Sequence, residues 1–357
     1  MKTYIKFIIS LFNISFLKIF IIFFSVISIS GILEEINFFK SIDVNFLYIV
    51  FLSLLNAPSV IFEILPFIFL LSTQIFFINL IDRNELEIFK YSGLNNLKII
   101  KILGAYSFVF GLFFVVVFYN FSSVLKNSYL LIKNQYSSDN KYLAVITANG
   151  LWIKDEINND INIINANKVY NQYLLDVSIT QFDKDFEILR ILQSKKVDIS
   201  NFEWKVFQPI ILQNNIEIKK DILLFKSNFD LKKINSLFSN LSSLSILELI
   251  NLRKSYKSLN YSVVEIDSHL YKTLAYPFYL TLITIFSAII MFNIGYQKNS
   301  FFKITLGILF SVIIYYVNYF INILGVNQKI PLFLSILLPL ILLTIINFTS
   351  IIKINEK

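Results

Sequence analysis

Charged side chains nearly vanish from six stretches of this 357-residue chain, at 11–33, 44–81, 102–125, 273–297, 304–326 and 330–352, yet are frequent from 133 to 272. Loss of charge over such lengths is what a bilayer demands, because a helix needs about 20 apolar residues to cross its hydrocarbon core. Composition agrees: 56% of residues are hydrophobic and 16% charged, against about 25% charged in an ordinary soluble domain. A single water-soluble core of this length could not hide the 38 Phe beside so much Ile and Leu. Ile, Asn, Lys and Phe are abundant throughout, so length without charge is a stronger criterion than Ile content.

The stretch from Leu11 to Leu33 holds Lys18 as its only charge and has no small-residue cleavage site, so it reads as a retained span. The block from Val44 to Ile81 is too long for one plain helix, while its first part is too short to cross alone. Pro58 and Pro66 interrupt it, and one long, kinked helix is expected, partly interfacial at its start. Further spans are expected at about 99–121, 273–294, 304–324 and 331–352. The distribution of Lys and Arg tests this number. With the N-terminus inside, cytoplasmic segments carry Lys2, Lys6, Arg83, Lys90, Lys98, Lys101, Lys298, Lys303, Lys353 and Lys357, whereas the two short outside loops carry only Lys40 and Lys329. Splitting the second block would place the 83–101 cluster outside. Six spans, three plus three, with both termini cytoplasmic, follow.

Between the two blocks, residues 141–230 read as short strands. Leu175, Val177 and Ile179 alternate with Asp176, Ser178 and Thr180, as do Ile216 and Ile218 with Glu217 and Lys219. Turns are expected at Asn149–Gly150, Asn158–Asn159–Asp160, Asp183–Lys184–Asp185 and Asn214–Asn215. Strands without intervening helices suggest a sandwich or open barrel, and the topology puts it outside the membrane. Trp152 and Trp204 fall in expected strands as core residues. Ser245-x-x-Glu248 is a capping box opening an amphipathic helix with Ile246, Leu249, Ile250 and Arg253. In the first cytoplasmic loop, Asn84 is a candidate N-cap, Leu86 and Phe89 share a face, and Gly93 suits a C-terminal stop. Such a short capped helix is either a handle for a cytoplasmic partner or an ordinary interfacial helix.

Several chemistries are excluded or weak. There is no cysteine and a single histidine, His269, so neither disulfides nor a His-cluster metal site can form. No G-x-x-x-x-G-K-[ST], H-E-x-x-H or G-x-S-x-G occurs, so the chain itself holds no nucleotide in a P-loop. The one carboxylate within a span is Glu63, expected to snorkel or to cap a kink rather than relay protons. Lys18 is expected to snorkel inward, and Glu34 and Glu35 to be interfacial. His269 is expected to pair with Glu265 at i,i+4. The net charge of +8 flanks the spans, which favours anionic lipid over nucleic acid.

Three segments carry a resemblance. Arg83-Asn84-Glu85-Leu86 with Tyr91-Ser92-Gly93 is similar to a coupling-helix pattern R-x-E-L…x-S-G. Gly150-Leu151-Trp152-Ile153-Lys154-Asp155 is similar to a strand G-L-W-x-(K/R)-D, and Lys272-Thr273-Leu274-Ala275-Tyr276-Pro277 to an approach K-x-x-x-P into a span. With Pro58 and Pro66 in the second span, and in this order over nearly the whole chain, they resemble the LptF/LptG (YjgP/YjgQ) permeases of the lipopolysaccharide-export ABC transporter. The Gly-Leu-Trp strand and Ser30-Gly31-Ile32-Leu33 lean towards the LptG half.

The resemblance implies a membrane α-helical protein with an inserted all-β periplasmic domain, jellyroll-like, in the inner membrane. Its parts would be a first membrane block (1–125), the β domain with its connecting helix (126–268) and a second block (269–357). Arg83, Glu85, Leu86, Phe89, Ser92 and Gly93 would form the helix 84–93 that docks on an LptB-like ATPase dimer, which would bind the ATP and Mg. This chain would hold no cofactor and catalyse nothing. An LptF-like permease would form lateral gates with spans one and five, and an LptC-like single-span protein would receive the lipid. Some members of the family place a basic residue near the outer end of span one, where this chain has Glu34–Glu35, so Lys40 and Lys272 are the candidate lipid-phosphate contacts. An FtsX- or MacB-like permease, with four spans, fits less well, as does a non-transport membrane assembly protein.

Overall fold

The computed structural model describes residues 3–40, 42–136, 151–157, 160–170, 172–184, 186–213, 216–231, 234, 240–258, 262–293 and 300–355. The expected turns at Asn149–Gly150, Asn158–Asn159 and Asn214–Asn215, Asp185 of a fourth, and Lys2, Lys298 and Lys357 of the charge count lie outside them. The chain divides into two compact units, Met1–Lys126 with Val264–Lys357, and Asn127–Val263.

The first unit is built from long helices. They are α1 (Thr3–Phe38), α2 (Phe46–Asp82), the short α3 (Glu85–Tyr91), and α4 (Asn96–Phe113), which continues through a π-helical turn (Phe114–Phe118) into α5 (Tyr119–Gln135), whose residues from Asn127 on belong to the second unit. After the inserted unit, with its α6 (Ile246–Ser258), come α7 (Val264–Asn293), α8 (Ser300–Val326) and α9 (Leu332–Asn355). Among the described residues, six helical segments are long and apolar enough to cross a membrane. They overrun the charge-poor stretches because polar helix ends leave no hydropathy signal. α2 runs through Pro58 and Pro66 as one helix.

Phenylalanine fills the core of this unit. Phe16, Phe110 and Phe114 meet edge to face at ring separations of 5.0–5.9 Å, the arrangement that the ring quadrupole prefers. Hydroxyls buried in the spans turn back on their own helices: Ser15 donates to the Leu11 carbonyl, Ser72 to Ile68, Thr73 to Phe69 and Thr284 to Leu280. In hydrocarbon, a polar group without such a partner costs several kcal/mol. A Cβ on Gly111 would lie 2.9 Å from the Pro277 Cα, so only glycine lets the α4 and α7 backbones come this close.

The second unit is one antiparallel sheet of eight strands: β1 (Leu151–Ile157), β2 (Asp160–Tyr170), β3 (Tyr173–Phe182), β4 (Ile188–Asp198), β5 (Glu203–Phe207), β6 (Ile210–Gln213), β7 (Ile216–Lys219) and β8 (Ile222–Lys226). β1 to β4 are neighbours in sequence order. The far edge of β4 then serves two branches: β5 pairs at Lys196–Asp198 and leads to β8, and β6 pairs at Ile191–Gln193 and leads to β7. Register aligns Ile153, Ile164, Ile179, Leu192 and Ile211 in one buried row across five strands. Asp155 joins the first strand to the segment after the last. Its buried carboxylate accepts from Ser227 Oγ at 2.8 Å, Asn228 N at 3.0 Å and Asn228 Nδ2 at 2.8 Å.

Several local expectations are corrected here. Trp152 is 57% exposed, because it alternates with buried Leu151 and Ile153 and so faces outward, whereas Trp204 is fully buried and donates to the Phe229 carbonyl at 2.7 Å. In β3, Leu174 rather than Leu175 is buried. The intervening Asp176 has φ of 50° and breaks the simple alternation. Every residue of β7 is exposed. The Ser245–Glu248 capping box forms reciprocally, with Ser245 N donating to Glu248 Oε2 at 2.8 Å and Glu248 N to Ser245 Oγ at 3.4 Å. The buried stripe of α6 is Leu249 and Leu252, and Ile250 lies outside it.

Candidate functional site

The short helix α3 hangs between α2 and α4, held from both ends. At its start, Asn84 adopts φ 57°, ψ 14° and makes no side-chain cap, which corrects the expected N-cap. Only Arg83 and Asn84 separate α2 from α3, and Asn is among the few non-glycine residues that tolerate the left-handed conformation such a reversal needs. At its end, Gly93 at φ 78° donates to the Lys90 carbonyl at 3.0 Å, and Leu94 N donates to Phe89 at 2.9 Å. This double closure is a Schellman motif. Lys98 Nζ adds a bond to the Gly93 carbonyl at 3.1 Å, and Ser92 Oγ one to Ile88 at 2.8 Å.

Leu86 and Phe89 do share a face, and it points inward. Leu86 is 1% exposed in the helical core, and Phe89 packs edge-on against Phe7 at 5.8 Å. Glu85 is largely covered and lies 3.9 Å from Arg83. The outward face consists of Glu87, Ile88 at 60% and Tyr91 at 89% exposure. The sequence marks Glu87 only as lying three residues after the candidate cap and Tyr91 only as part of a motif; Ile88, an apolar residue two positions after Leu86, falls off the inward stripe.

The second site is a cavity of about 560 Å³ within the helical unit, walled by α1, α2, α7, α8 and α9. α7 presents Lys272, Tyr276, Tyr279 and Ile283 to it, and α8 presents Ser311, Tyr315, Asn318 and Asn322. Both sets are spaced 4, 3 and 4 residues apart, one face of a helix. That polar and aromatic stripe in otherwise apolar spans was readable but unread. Glu63 stands on the α2 wall, its carboxylate 4.0 Å from Lys126 Nζ. Phe23, Phe67, Val312 and Ile336 supply apolar wall. Lys40 is exposed in the turn after α1 and lines none of the cavities described. Glu34 is exposed and Glu35 buried.

His269 corrects another expectation. Its Nε2 meets Tyr119 Oη at 2.8 Å rather than Glu265. The π-helical turn ends at Tyr119, whose N–H reaches back to the Phe114 carbonyl. The extra residue in that turn rotates Tyr119 relative to a regular α-helix.

Against this geometry, the family described as the lipopolysaccharide export system permease LptF/LptG matches residues 6–353, which takes in all six spans, α3 and the inserted sheet. The chain belongs to the LptF/LptG family. No individual curated protein matches it. Membership makes the chain a multi-pass membrane protein and a permease of the lipopolysaccharide export system, a transport subunit rather than a catalytic enzyme. The family description covers both LptF and LptG, and among the described residues six long apolar helices with an all-β insertion after the third fit a membrane α-helical protein with an inserted β domain.

Proposed function

We propose that the chain is one of two permease subunits of an ABC transporter, the LptG half, in the inner membrane. It extracts lipopolysaccharide from the outer leaflet and passes it by way of the β unit to an LptC-like protein and a periplasmic bridge. ATP and its Mg are held by an LptB-like dimer, because this chain has no P-loop. The observation that carries the reading is α3: a seven-residue helix locked at its C-terminal end that turns Ile88 and Tyr91 away from its own chain. Two large exposed side chains on a rigid helix, beside the acidic Glu85 and Glu87, suit a groove on a cytoplasmic partner. Arg83, Leu86, Phe89, Ser92 and Gly93 hold the helix in place, and Glu85 sits at the edge of the contact. Lys40, exposed after α1, is the proposed contact for a lipopolysaccharide phosphate.

Purification in mild detergent tests the reading, with an ATPase and a second six-span chain expected to co-elute. Tyr91→Ala with Ile88→Asp should reduce the co-eluting ATPase by about tenfold or more, as loss of interface anchors does, with membrane insertion unchanged. Undiminished co-elution would remove α3 from the ATPase contact. Absence of any second permease chain would sink the transporter-half assignment.

A further inference from the structure

Gln74 is fully buried within α2. Its Nε2 donates at 2.9 Å to the backbone carbonyl of Lys303, 229 positions away near the start of α8. Its Oε1 has no hydrogen-bond partner among the described residues. Burying an amide in a span costs free energy, and an oxygen left unmet there adds to the cost. Methionine, of similar length, would fill the same space without it. A polar group present in a span in spite of that cost marks a functional position. The fit is also two-sided. A Cβ on Gly307 would overlap the Gln74 amide, which therefore lies on bare α8 backbone. One turn away on the same helix face stand Lys303 and Ser311, whose side chains leave no such seat. The amide thus sets the register of α8 against α2.

This clasp lies where a displacement of α3 would arrive. About two turns of helix separate Gln74 from Asp82, the last residue of α2, and only Arg83 and Asn84 then precede α3. A recess of about 50 Å³ adjoins all three elements, lined by Phe77 and Ile81 of α2, Leu86 and Lys90 of α3 and Lys303 of α8. Beyond the clasp, α8 runs on to Ser311, Tyr315 and Asn318 of the large cavity. Within its own chain, 6% of the apolar length of α8 is buried, against 61% for α2. One interhelical hydrogen bond therefore weighs more in placing α8 than it would in a well-packed helix.

We propose that Gln74, seated on Gly307, is the positioning residue through which a displacement of α3 is passed to α8 and so to the cavity wall. The inference deepens the transport reading above and rests on it, because the ATPase contact at α3 supplies the displacement.

Double electron–electron resonance on the full-length chain, purified with its ATPase and second permease made cysteine-free, reads the transmission. Spin labels on Val109→Cys of α4 and Phe320→Cys of α8, both exposed positions, report the distance between these helices without nucleotide and with ATP and vanadate. The otherwise wild-type complex should show a nucleotide-dependent shift. Gln74→Met, which cannot donate, and Gly307→Ala, which displaces the amide, should each abolish it. In vesicles, each should leave ATP hydrolysis within about twofold of wild type while lipopolysaccharide delivered per ATP falls about fivefold, the ratio that one lost hydrogen bond brings. The two substitutions combined should do no more than either alone, since both break one contact. A shift that survives both single variants would overturn the clasp, as would a wild type whose distance ignores nucleotide. So would losses that multiply in the double variant, or hydrolysis and delivery that fall in parallel, which a merely structural glutamine predicts. Co-elution of the ATPase with every variant keeps these failures apart from failure of the export reading, which shows as an ATPase absent even from the wild type and removes this inference with it.

Discussion

Asp155 shows how one residue can be visible in a sequence and explained only in three dimensions. It closes the Gly-Leu-Trp-x-Lys-Asp pattern, and the pattern says nothing of why an acid should sit in a strand. In the fold its carboxylate collects three donors from Ser227 and Asn228, seventy residues away, and ties the first strand to the segment after the last. Asp155→Ala leaves these donors facing a void, at a cost of about 3 kcal/mol or more, since each buried unmet group costs about 1–3 kcal/mol. A lowered melting temperature and faster proteolysis within 127–263 of the full-length protein are expected. Asp155→Asn should recover part of the loss, because one acceptor oxygen remains. Gly93 makes the converse case, legible from sequence as a helix stop and confirmed by its φ of 78°. Gly93→Ala forces a Cβ into the left-handed region at about 1–2 kcal/mol, and hydrogen exchange in α3 should quicken with little change in the global melting point.

At the scale of elements, length without charge located the long helices and closely spaced turn residues the strand-rich insertion, whereas periodicity failed where backbone geometry departs from the ideal period. The capping box of α6 is a local pattern and formed as expected. Trp152 was assigned to the core because it is large and apolar, but strand alternation with Leu151 and Ile153 outranks residue type. His269 was paired with Glu265 by helical spacing. The π-helical turn before Tyr119, which no sequence period announces, supplied a partner 150 positions away. Close packing of α4 on α7 also depends on one residue, Gly111. Gly111→Val would push a side chain against the Pro277 backbone, already 2.9 Å from a Cβ there. Backbone displacement of this kind costs about 1–3 kcal/mol, and a drop in the detergent melting temperature of the full-length chain checks it. Gly111→Ala should show a smaller drop.

For the molecule as a whole, the reading rests on sums over long windows. The charge asymmetry predicts that the β unit and α3 lie on opposite sides of the membrane. The chain has no cysteine, so single cysteines can be introduced without removing native ones. Lys184→Cys, exposed in the β3–β4 turn, should react with an impermeant thiol reagent in intact spheroplasts, and Tyr91→Cys only after lysis. The reverse pattern would invert the topology. Span number and the all-β insertion were legible, because lipid and water respond to hydropathy and charge whatever the neighbouring residues do. The face that α3 turns outward, the presence of Glu63 and Lys272 in the lining of one cavity and the partner of His269 were not. Each depends on contacts between residues far apart in the chain, and a local period carries no information about which distant helix will pack against it.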